Sequence, residues 1–315
     1  MPMQIFLVRR ILSTVPVLVI VALIVFLMLR LAPGDPAAAI VGDSGTSENI
    51  AKVRSQLGLN DSLPTQFVRW SGQLLQGNLG ESYFMKKTVV ELIGQRIEPT
   101  VSLAAVTLVV TILIAVPLGV VAAWRHGGWL DRMLMGFSVM GFSIPAFVIG
   151  YVLIWIFALH LQLLPVQGYS RLGQGPWLWI KHLILPSITL SIIYVALIAR
   201  VTRAAVAEAM TEDYIRTARA KGISEKRVLM RHALANAAIP IVTVIGIGIA
   251  LLIGGVVVTE TVFAIPGLGQ LTVDAVLSRD FPLIQGITLF FSVVYVLINL
   301  LIDLSYLAFD PRIRY

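Results

Sequence analysis

Residues 11–29 read ILSTVPVLVIVALIVFLML and contain no charged side chain. A helix rises about 1.5 Å per residue, so this run reaches roughly 28 Å, close to the ~30 Å hydrocarbon core of a bilayer. Its apolar core exceeds the roughly 7–15 residues of a secretory signal peptide, and the LRLAPGDP that follows is not a small-residue cleavage site. The run therefore predicts a retained first transmembrane helix.

The composition extends this prediction to the whole chain. Mean hydropathy is +0.88 and only 13% of the 315 residues are charged, whereas a soluble domain is closer to a quarter charged. Cysteine is absent from the sequence, which excludes a disulfide framework and a thiolate metal site. Further uncharged runs lie at 99–124, 133–170 (apolar as far as Leu159), 182–199, 232–259 and 281–302. We therefore expect an all-α membrane protein with six transmembrane helices.

The distribution of Lys and Arg predicts the orientation of these helices. Short loops on one side carry fourteen such residues and those on the other side carry three, and the positively charged side is normally cytoplasmic. The three are Arg171, Lys181 and Arg279; the fourteen are Arg9, Arg10, Arg125, Arg132, the eight from Arg200 to Arg231, Arg312 and Arg314. Both termini and the 200–236 loop are thus predicted to be cytoplasmic. The excess of Lys and Arg on that side accounts for the net charge of +7, which therefore does not indicate a nucleic-acid partner.

The long segment 31–98, predicted to lie outside, has helical spacing of its own. ENIAKVRSQLGL and SLPTQFVRWSGQLLQ each fit a helix, and the second places Phe67, Trp70, Leu74 and Leu75 on one apolar face. We expect a small helical cap on the outer surface. The predicted division is 1–96 (first helix and outer segment), 97–308 (a core of five helices with the cytoplasmic loop of about 200–236) and 309–315 (cytoplasmic tail).

The stretch EDYIRTARAKGISEKRVLMRHALANAAIP, 212–240, concentrates charge between two apolar runs. Thr211 is predicted to cap a short helix with Glu212 and Asp213 in its first turn, and Glu212 is spaced to pair with Arg216. Gly222 fits the position after the C-cap, where φ is positive. A second helix then begins after Ser224, so the sequence predicts two short helices bent around Gly222.

Two interpretations of this hairpin remain open from the residues alone. Its arginines could lie over anionic lipid, or a short helix could dock in the groove of a cytosolic partner. Lipid binding explains the charge but does not require a capped, bent pair of helices.

EDYIRTARAKG closely resembles the cytoplasmic loop of the inner-membrane permeases of peptide-type ABC importers, the dipeptide, oligopeptide and nickel branch. In ABC importer permeases generally, that loop follows Glu-Ala-Ala, three residues, Gly, nine residues, Ile-x-Leu-Pro, and only Ala218, Gly222 and Leu234 match here. The match to the peptide branch is closer, and it continues through other motifs, with features of the B-type member of the permease pair. These are RLAPGDP (30–36), LGLNDSLPTQF (57–67), GNLGES (77–82), SIPAF (143–147), LILPSITL (183–190), ETVFAIPGLG (260–269) and DPRIR (310–314).

The resemblance implies the type I ABC importer permease fold, in a bacterial inner membrane. It also implies a homologous second permease chain, two ATP-binding subunits and an extracytoplasmic solute-binding protein as partners. GxxxxGK[ST] does not occur in the sequence, so ATP and Mg²⁺ are expected on the partner ATPases and no cofactor or metal on this chain. Di- or oligopeptides are the expected substrates; glutathione and nickel complexes remain open, and no substrate ligand is assigned.

The resemblance assigns ATPase coupling to the first helix of the hairpin. Tyr214 and Ile215 are expected to insert into a cleft of the ATPase, with Arg216 and Lys221 on its acidic rims. The residues assigned to coupling are Tyr214, Ile215, Arg216, Thr217, Ala218, Arg219, Lys221 and Gly222.

ETVFAIPGLGQL, 260–271, contains a Pro-Gly-x-Gly break that cannot continue a helix. One hypothesis makes it an outer gate, in which Phe263 and Leu268 plug the path and Glu260 lies at the rim. A plain outer loop is an equal alternative. The residues assigned to the gate are Glu260, Phe263, Pro266, Gly267 and Leu268.

Other function classes fit the sequence less well. An intramembrane protease is disfavoured because GFSIP around Ser143 lacks the small residue expected after the serine of GxSxG, so we expect a protein that is not an enzyme. An ion-coupled secondary transporter or channel is the stronger alternative. It would need ionisable groups at mid-membrane, and Asp303 is the single candidate.

Overall fold

The computed structural model describes residues 3–31, 36–41, 46–56 and 58–309. Regular structure in these ranges is helical, apart from an isolated antiparallel bridge between Glu81 and Thr88. The predicted DPRIR motif and the tail from 310 onward lie outside the described residues. The α-helices are α1 (Met3–Leu31), α2 (Pro36–Val41), α3 (Ser47–Gln56), α4 (Leu63–Leu75), α5 (Val89–Trp124), α6 (Trp129–Ser143), α7 (Ala146–Leu153), α8 (Pro176–Ala209), α9 (Asp213–Ala220), α10 (Glu225–Arg227), α11 (Leu234–Asn236), α12 (Ala238–Val262), α13 (Leu268–Leu277) and α14 (Phe281–Phe309).

Four of the described helices are long and apolar enough to cross a membrane: α5, α8, α12 and the Phe281–Ser305 part of α14. The bent pair of α6 and α7 makes a fifth if it counts as one span. Helix α1 contributes a shorter apolar stretch, Leu12–Met28. These helices agree with an all-α membrane fold, while the count of six spans stays a prediction.

The third predicted span is not a single helix. The uncharged run was expected to cross as one segment as far as Leu159, but α6 and the continuous helix Ala146–His160 meet at 102°. Ile144 is extended, with ψ at 122°, and Pro145 caps the next helix with φ at −59°. Proline disfavours the α conformation of the residue before it, and this local rule explains the break.

The first of two compact units comprises Met1–Ile97 and Leu271–Leu297. In it, α4 packs on α1 through the Phe26 ring, whose centroid lies 5.1 Å from that of Phe67 and 5.6 Å from that of Trp70. The predicted apolar face is wrong at Leu75, which is 89% exposed. Gln66 is buried instead, because its side chain accepts a hydrogen bond from Arg30 and donates to the chain at Asp61.

The second unit comprises Glu98–Gln270 and Ile298–Tyr315, and α8 is its central helix. Helices α12, α6 and α7 all pack on α8. Close approach of α12 depends on Gly255, where a Cβ would lie 2.8 Å from a methyl carbon of Leu190 and 2.9 Å from the hydroxyl of Tyr194. Small residues serve this purpose in membrane helix pairs, where van der Waals packing is a main attraction.

Candidate functional site

Helix α9, the first arm of the charged hairpin, begins one residue later than the sequence predicts. Its N-cap is Glu212, with extended backbone angles of φ −69° and ψ 151°. The hydroxyl of Thr211, the predicted cap, instead donates to the carbonyl of Glu208 at 2.7 Å. Asp213 keeps its predicted place in the first turn and Arg219 is in the last, where their charges complement the helix dipole.

The turn between the two arms has the conformation predicted from Gly222. Its φ is +75°. The N–H of Gly222 donates to the carbonyl of Arg219 at 2.9 Å, and that of Ile223 donates to the carbonyl of Ala218 at 3.3 Å. This pair of bonds is the Schellman motif, which satisfies carbonyls at the end of a helix.

The second arm begins at Glu225, after the extended N-cap Ser224. It continues through a π-helical turn, Val228–Ala233, before α11. Val228 and Leu229 are buried, as expected of residues that need an apolar surface to pack against.

That surface belongs to this chain. Ile215 and Ala218 are 0% and 5% exposed and share one apolar cluster with residues of α5, α8 and α12. The buried members are Val120, Ala123, Val206, Ala209, Ile215, Ala218, Val228, Leu229, Ala233, Ala237 and Ile241. The predicted insertion of Ile215 into a partner's cleft is therefore wrong: the side chain fastens the hairpin to its own transmembrane helices.

The opposite face of α9 is exposed and polar. Tyr214, Arg216, Thr217, Arg219 and Lys221 all lie on it. Arg216 pairs with Asp213 at 3.1 Å rather than with Glu212, the partner predicted from spacing. The Arg219 guanidinium spans the turn to the Glu225 carboxylate with bonds of 2.7 and 3.1 Å. Exposed pairs of this kind contribute little stability, and of the two only the Arg219–Glu225 pair joins the two arms.

Tyr214 lies at the edge of this exposed face, next to the buried one. Partial burial, aided by the charge of Glu212, raises the pKa of its phenol, although a hydrogen bond with Asn236 opposes the shift. The phenol therefore stays neutral at physiological pH, and its edge position leaves it 38% exposed.

An ion pair that sequence reasoning missed holds the start of α6 against α8. Arg203 donates two bonds of 2.8 Å to the carboxylate of Asp131, which is 4% exposed and also accepts the N–H of Gly127 at 2.9 Å. An acid in the first turn of a helix, directly after a glycine turn, is a recognisable cap signal. Its arginine partner lies far away in sequence, and no local pattern could identify it.

The predicted gate segment is packed inside the chain. Glu260, expected at the rim of the gate, is 0% exposed within this chain, and its role at a gate stays a prediction. Its Oε1 accepts the hydroxyl of Thr100 at 2.6 Å, and its Oε2 accepts the N–H of Gln270 at 3.0 Å. The same Thr100 hydroxyl oxygen accepts the N–H of Leu268 at 2.7 Å. These bonds fix the turn between α12 and α13 to α5.

The glycines of the Pro-Gly-x-Gly motif make room for this carboxylate. A Cβ on Gly267 would overlap Oε1 of Glu260, and one on Gly269 would lie 2.6 Å from Cα of Val257. Neither glycine has a positive φ, so backbone conformation does not require glycine at these two positions. Pro266 precedes them in the turn, as predicted.

The two predicted plug residues belong to the apolar interior. Phe263 is 2% exposed and Leu268 is 1% exposed. The Phe263 ring lies beside Gly150 of α7, where a Cβ would stand 3.4 Å from the ring. The carbonyl of Phe263 also accepts the N–H of Gly168 at 2.9 Å. In this structure neither side chain faces open space.

Ser143 behaves as a hydroxyl at a helix break. It ends α6 and donates to the carbonyl of Val139 at 2.9 Å. Within the part of the chain that the structure describes, no three His, Asp or Glu side chains lie close enough to hold a metal ion.

Two family models match the sequence. Residues 115–315 match the "Binding-protein-dependent transport system inner membrane component", and residues 3–104 match the "Binding-prot-dependent transport system membrane comp, N-term". Together they leave only a short interval between them.

Similar proteins span essentially the same length. The "Probable peptide ABC transporter permease protein y4tP" of Sinorhizobium fredii (strain NBRC 101917 / NGR234) is 52% identical over 313 residues, 99% of this chain and 100% of the relative. The "Glutathione transport system permease protein GsiC" of Salmonella paratyphi A (strain ATCC 9150 / SARB42) is 43% identical over 310 residues, 98% and 99% of the two chains.

A solved structure shares the fold. A chain of the inward-facing MetNI methionine ABC transporter, in its CY5 native crystal form, superimposes with a TM-score of 0.59 over 70% of this chain and 97% of that chain. The identity of 18% limits this likeness to the fold.

Proposed function

The chain belongs to the family of binding-protein-dependent transport system inner membrane components, and on that premise we propose that it forms half of the pore of an ABC importer for small peptides. As a permease of this family it is not an enzyme, and ATP is hydrolysed on separate subunits. We propose that the complex contains a homologous second permease, two ATPases holding ATP and Mg²⁺, and an external binding protein.

Relatives named for peptide and for glutathione transport support a substrate of peptide chemistry. Uptake of labelled dipeptides, oligopeptides and glutathione into proteoliposomes holding the whole importer tests this. We expect uptake that requires both Mg-ATP and the binding protein. Uptake driven by an ion gradient without the ATPases would instead support a secondary transporter.

The observation that carries the coupling role is the two-faced hairpin. Its apolar face, with Ile215 at the centre, is sealed against α5, α8 and α12. A push on its polar face therefore moves the transmembrane helices rather than the hairpin alone. We propose that this polar face, with Tyr214, Arg216 and Lys221, docks on an ATPase and transmits its closure to the pore.

Charge reversal tests this docking without disturbing the apolar seat. The Arg216→Glu/Lys221→Glu double variant is expected to insert normally, lose bound ATPase on purification and lose ATP-driven uptake. Lys226→Glu paired with Arg227→Glu is the matched control, because both residues are exposed on the second arm. Equal losses in both double variants would point to anionic lipid rather than a docked subunit.

We propose that both termini and the hairpin are cytoplasmic. Because the chain contains no cysteine, single cysteines at Ser47 and Lys226 give unambiguous labelling in cells. Ser47→Cys should react with an impermeant maleimide from outside and Lys226→Cys only after permeabilisation. The reverse pattern would contradict the orientation.

The gate remains a proposal in altered form. Because Glu260, Thr100 and Leu268 are hydrogen-bonded together, the 260–271 segment would have to move as one body with α5. Crosslinking Thr261→Cys, which replaces an exposed residue of the same segment, to the partner permease in different nucleotide states is the check. An unchanged yield would favour the plain outer loop.

A further inference from the structure

A cavity of about 420 Å³ lies within the first compact unit. This volume falls in the roughly 300–1,000 Å³ range of sites for small ligands. None of the coupling or gate residues lines it. The lining residues that carry the argument are Arg30, Trp70, Leu79, Glu81, Lys86 and Pro282.

The rim of the cavity is held in place by a buried acid. Asp280, 1% exposed, accepts the hydroxyl of Ser82 on Oδ2 and the N–H of Tyr83 on Oδ1. The N–H of Ser82 also donates to the carbonyl of Lys87 at 2.9 Å. The turn that carries the charged rim residues is therefore anchored at its base.

One lining residue, Arg30, is a cation held in a fixed orientation. The Arg30 guanidinium lies 3.7 Å above the Phe26 ring, and it donates through Nε to Gln66 at 3.1 Å and through Nη1 to the carbonyl of Phe26 at 3.2 Å. These two bonds use two of its five N–H donors. A guanidinium held this way is suited to a carboxylate, which it can bind through two parallel hydrogen bonds.

The cavity lining carries charges of both signs, with one more cation than anions. Arg30 and Lys86 are cationic and Glu81 is anionic, while Trp70 and Pro282 supply apolar surface. Burial raises the pKa of the Tyr83 phenol to about 12, with the nearby Asp280 charge adding to the shift. The phenol therefore stays a hydrogen-bond donor at physiological pH. Two cations, one anion and an apolar wall match a zwitterion with a free carboxylate better than an apolar ligand.

We propose that this cavity binds a small peptide by its C-terminal carboxylate, held by Arg30 and Lys86, with Glu81 toward the peptide's amino group. The inference rests on the proposed peptide transport and on the predicted outer location of this segment. The cavity would then be the initial binding site on the permease for peptide released by the binding protein.

The test uses the complete importer in nanodiscs, without the binding protein, and titrates it calorimetrically with alanyl-phenylalanine and with the C-terminal amide of that dipeptide. Loss of a charge-assisted hydrogen bond weakens binding by roughly 10- to 150-fold, and we expect the Kd of the amide to exceed that of the free acid by this factor. Lys86→Gln should weaken the free acid by about threefold to tenfold. Lys87→Gln is the matched control, since Lys87 is the adjacent residue, pairs with Glu91 and does not line the cavity.

A second variant tests the other end of the peptide. Glu81→Gln should remove the preference for a free amino group over an N-acetylated one and leave the carboxylate preference intact. Equal binding of acid and amide, or equal loss in Lys86→Gln and Lys87→Gln, would overturn the assignment. If Lys86→Gln weakens binding only in nanodiscs that contain phosphatidylglycerol, the cavity holds a lipid headgroup instead, and the peptide assignment is also overturned. Normal peptide uptake without peptide binding in this cavity would refute this inference alone. Peptide binding in this cavity without any peptide uptake would refute the proposed function.

Discussion

Two glycine turns in this protein differ in why they need glycine. At Gly222, between the arms of the hairpin, φ is +75° and nothing stands within 4 Å of where a Cβ would be. At Gly267, between α12 and α13, φ is outside the left-handed region, but a Cβ would overlap the Glu260 carboxylate. One turn depends on backbone conformation and the other on space.

The difference indicates what each turn can tolerate. An exposed turn with an unfavourable φ can accept a side chain at a modest conformational cost, because its surroundings do not have to move. A turn closed over a buried carboxylate has no such freedom, because interiors are close-packed and the clash must be relieved by shifting several groups. Substitutions at the two sites should therefore separate stability from coupling.

The largest effect is expected from Gly267→Ala. The added methyl group displaces the Glu260 carboxylate and its bonds to Thr100 and Gln270. The loss should reach or exceed the upper end of the roughly 1–3 kcal/mol typical of overpacking. The yield of folded protein and the Tm in detergent measure it.

Gly254→Ala, in the helix α12 that precedes this turn, is the control for this substitution. Nothing lies within 4 Å of the site where its Cβ would be built, so its Tm should not fall. Combining Gly267→Ala with Glu260→Ala should cost less than the sum of the two single changes, since the clash is then gone. Strict additivity would refute the steric explanation.

A smaller effect is expected from Glu260→Gln. The substitution keeps the shape but turns one acceptor oxygen into a donor, so the bond to Thr100 or to Gln270 is lost. A buried group left without its partner costs about 1–3 kcal/mol. Glu208→Gln, in α8, serves as a control that neutralises an acid outside this turn. A Tm shift that matches the control would mean that the bonds to Glu260 contribute nothing.

A smaller stability effect with a large functional one is expected at Gly222. Left-handed backbone costs a non-glycine residue about 1–2 kcal/mol, and a β-branched residue suffers most. Gly222→Val should insert into the membrane but lose ATPase association and ATP-driven uptake. Gly222→Asn is the control, because asparagine tolerates this conformation better. If Gly222→Val transports normally with its ATPases bound, the hairpin angle does not carry the coupling.

The smallest effect concerns the Arg219–Glu225 pair across the hairpin turn. The Arg219 hydrogen bonds hold the pKa of the Glu225 carboxyl below its usual value. Such a group stabilises the fold fully above its ordinary pKa, and the contribution is lost as pH falls through the lowered one. The protection factors for amide exchange at Gly222 and Ile223, which correct for the intrinsic pH dependence of exchange, should fall slightly below about pH 4. The Glu225→Gln variant should show these lower protection factors already at neutral pH, and identical protection factors in the two proteins would argue against a role for the pair.

The local conformation of the hairpin, its turn and its helix cap, could be predicted from the sequence, but the residues that it packs against could not. The positive φ of Gly222 and the cap at Ser224 follow from residue types and their order. The burial of Ile215 depends on Val120, Val206 and Ile241. These residues come close to Ile215 only when the helices pack together. The sequence therefore indicates that Ile215 needs an apolar partner but does not identify that partner.

The same limit applies at the α12–α13 turn. The break after α12 was visible in its proline and glycines, but the bond of Glu260 to Thr100 joins residues 160 positions apart. The gate hypothesis placed Glu260 at a rim, and no local pattern indicates that Thr100 and Gln270 surround its carboxylate. The position of the bend between α6 and α7 could be predicted from Pro145, but its angle of 102° could not.

The division of α9 into a sealed face and an open face has an evolutionary consequence. Mutations at Arg216 or Lys221 meet no constraint from the apolar seat, because these side chains point away from it. Mutations at Ile215 are constrained by the fold whatever ATPase is present. If the polar face docks as proposed, its sequence can therefore change together with that of the ATPase while the fold of the transmembrane helices is retained. Permeases duplicated from one ancestor can in this way come to bind different ATPases without losing the ability to fold.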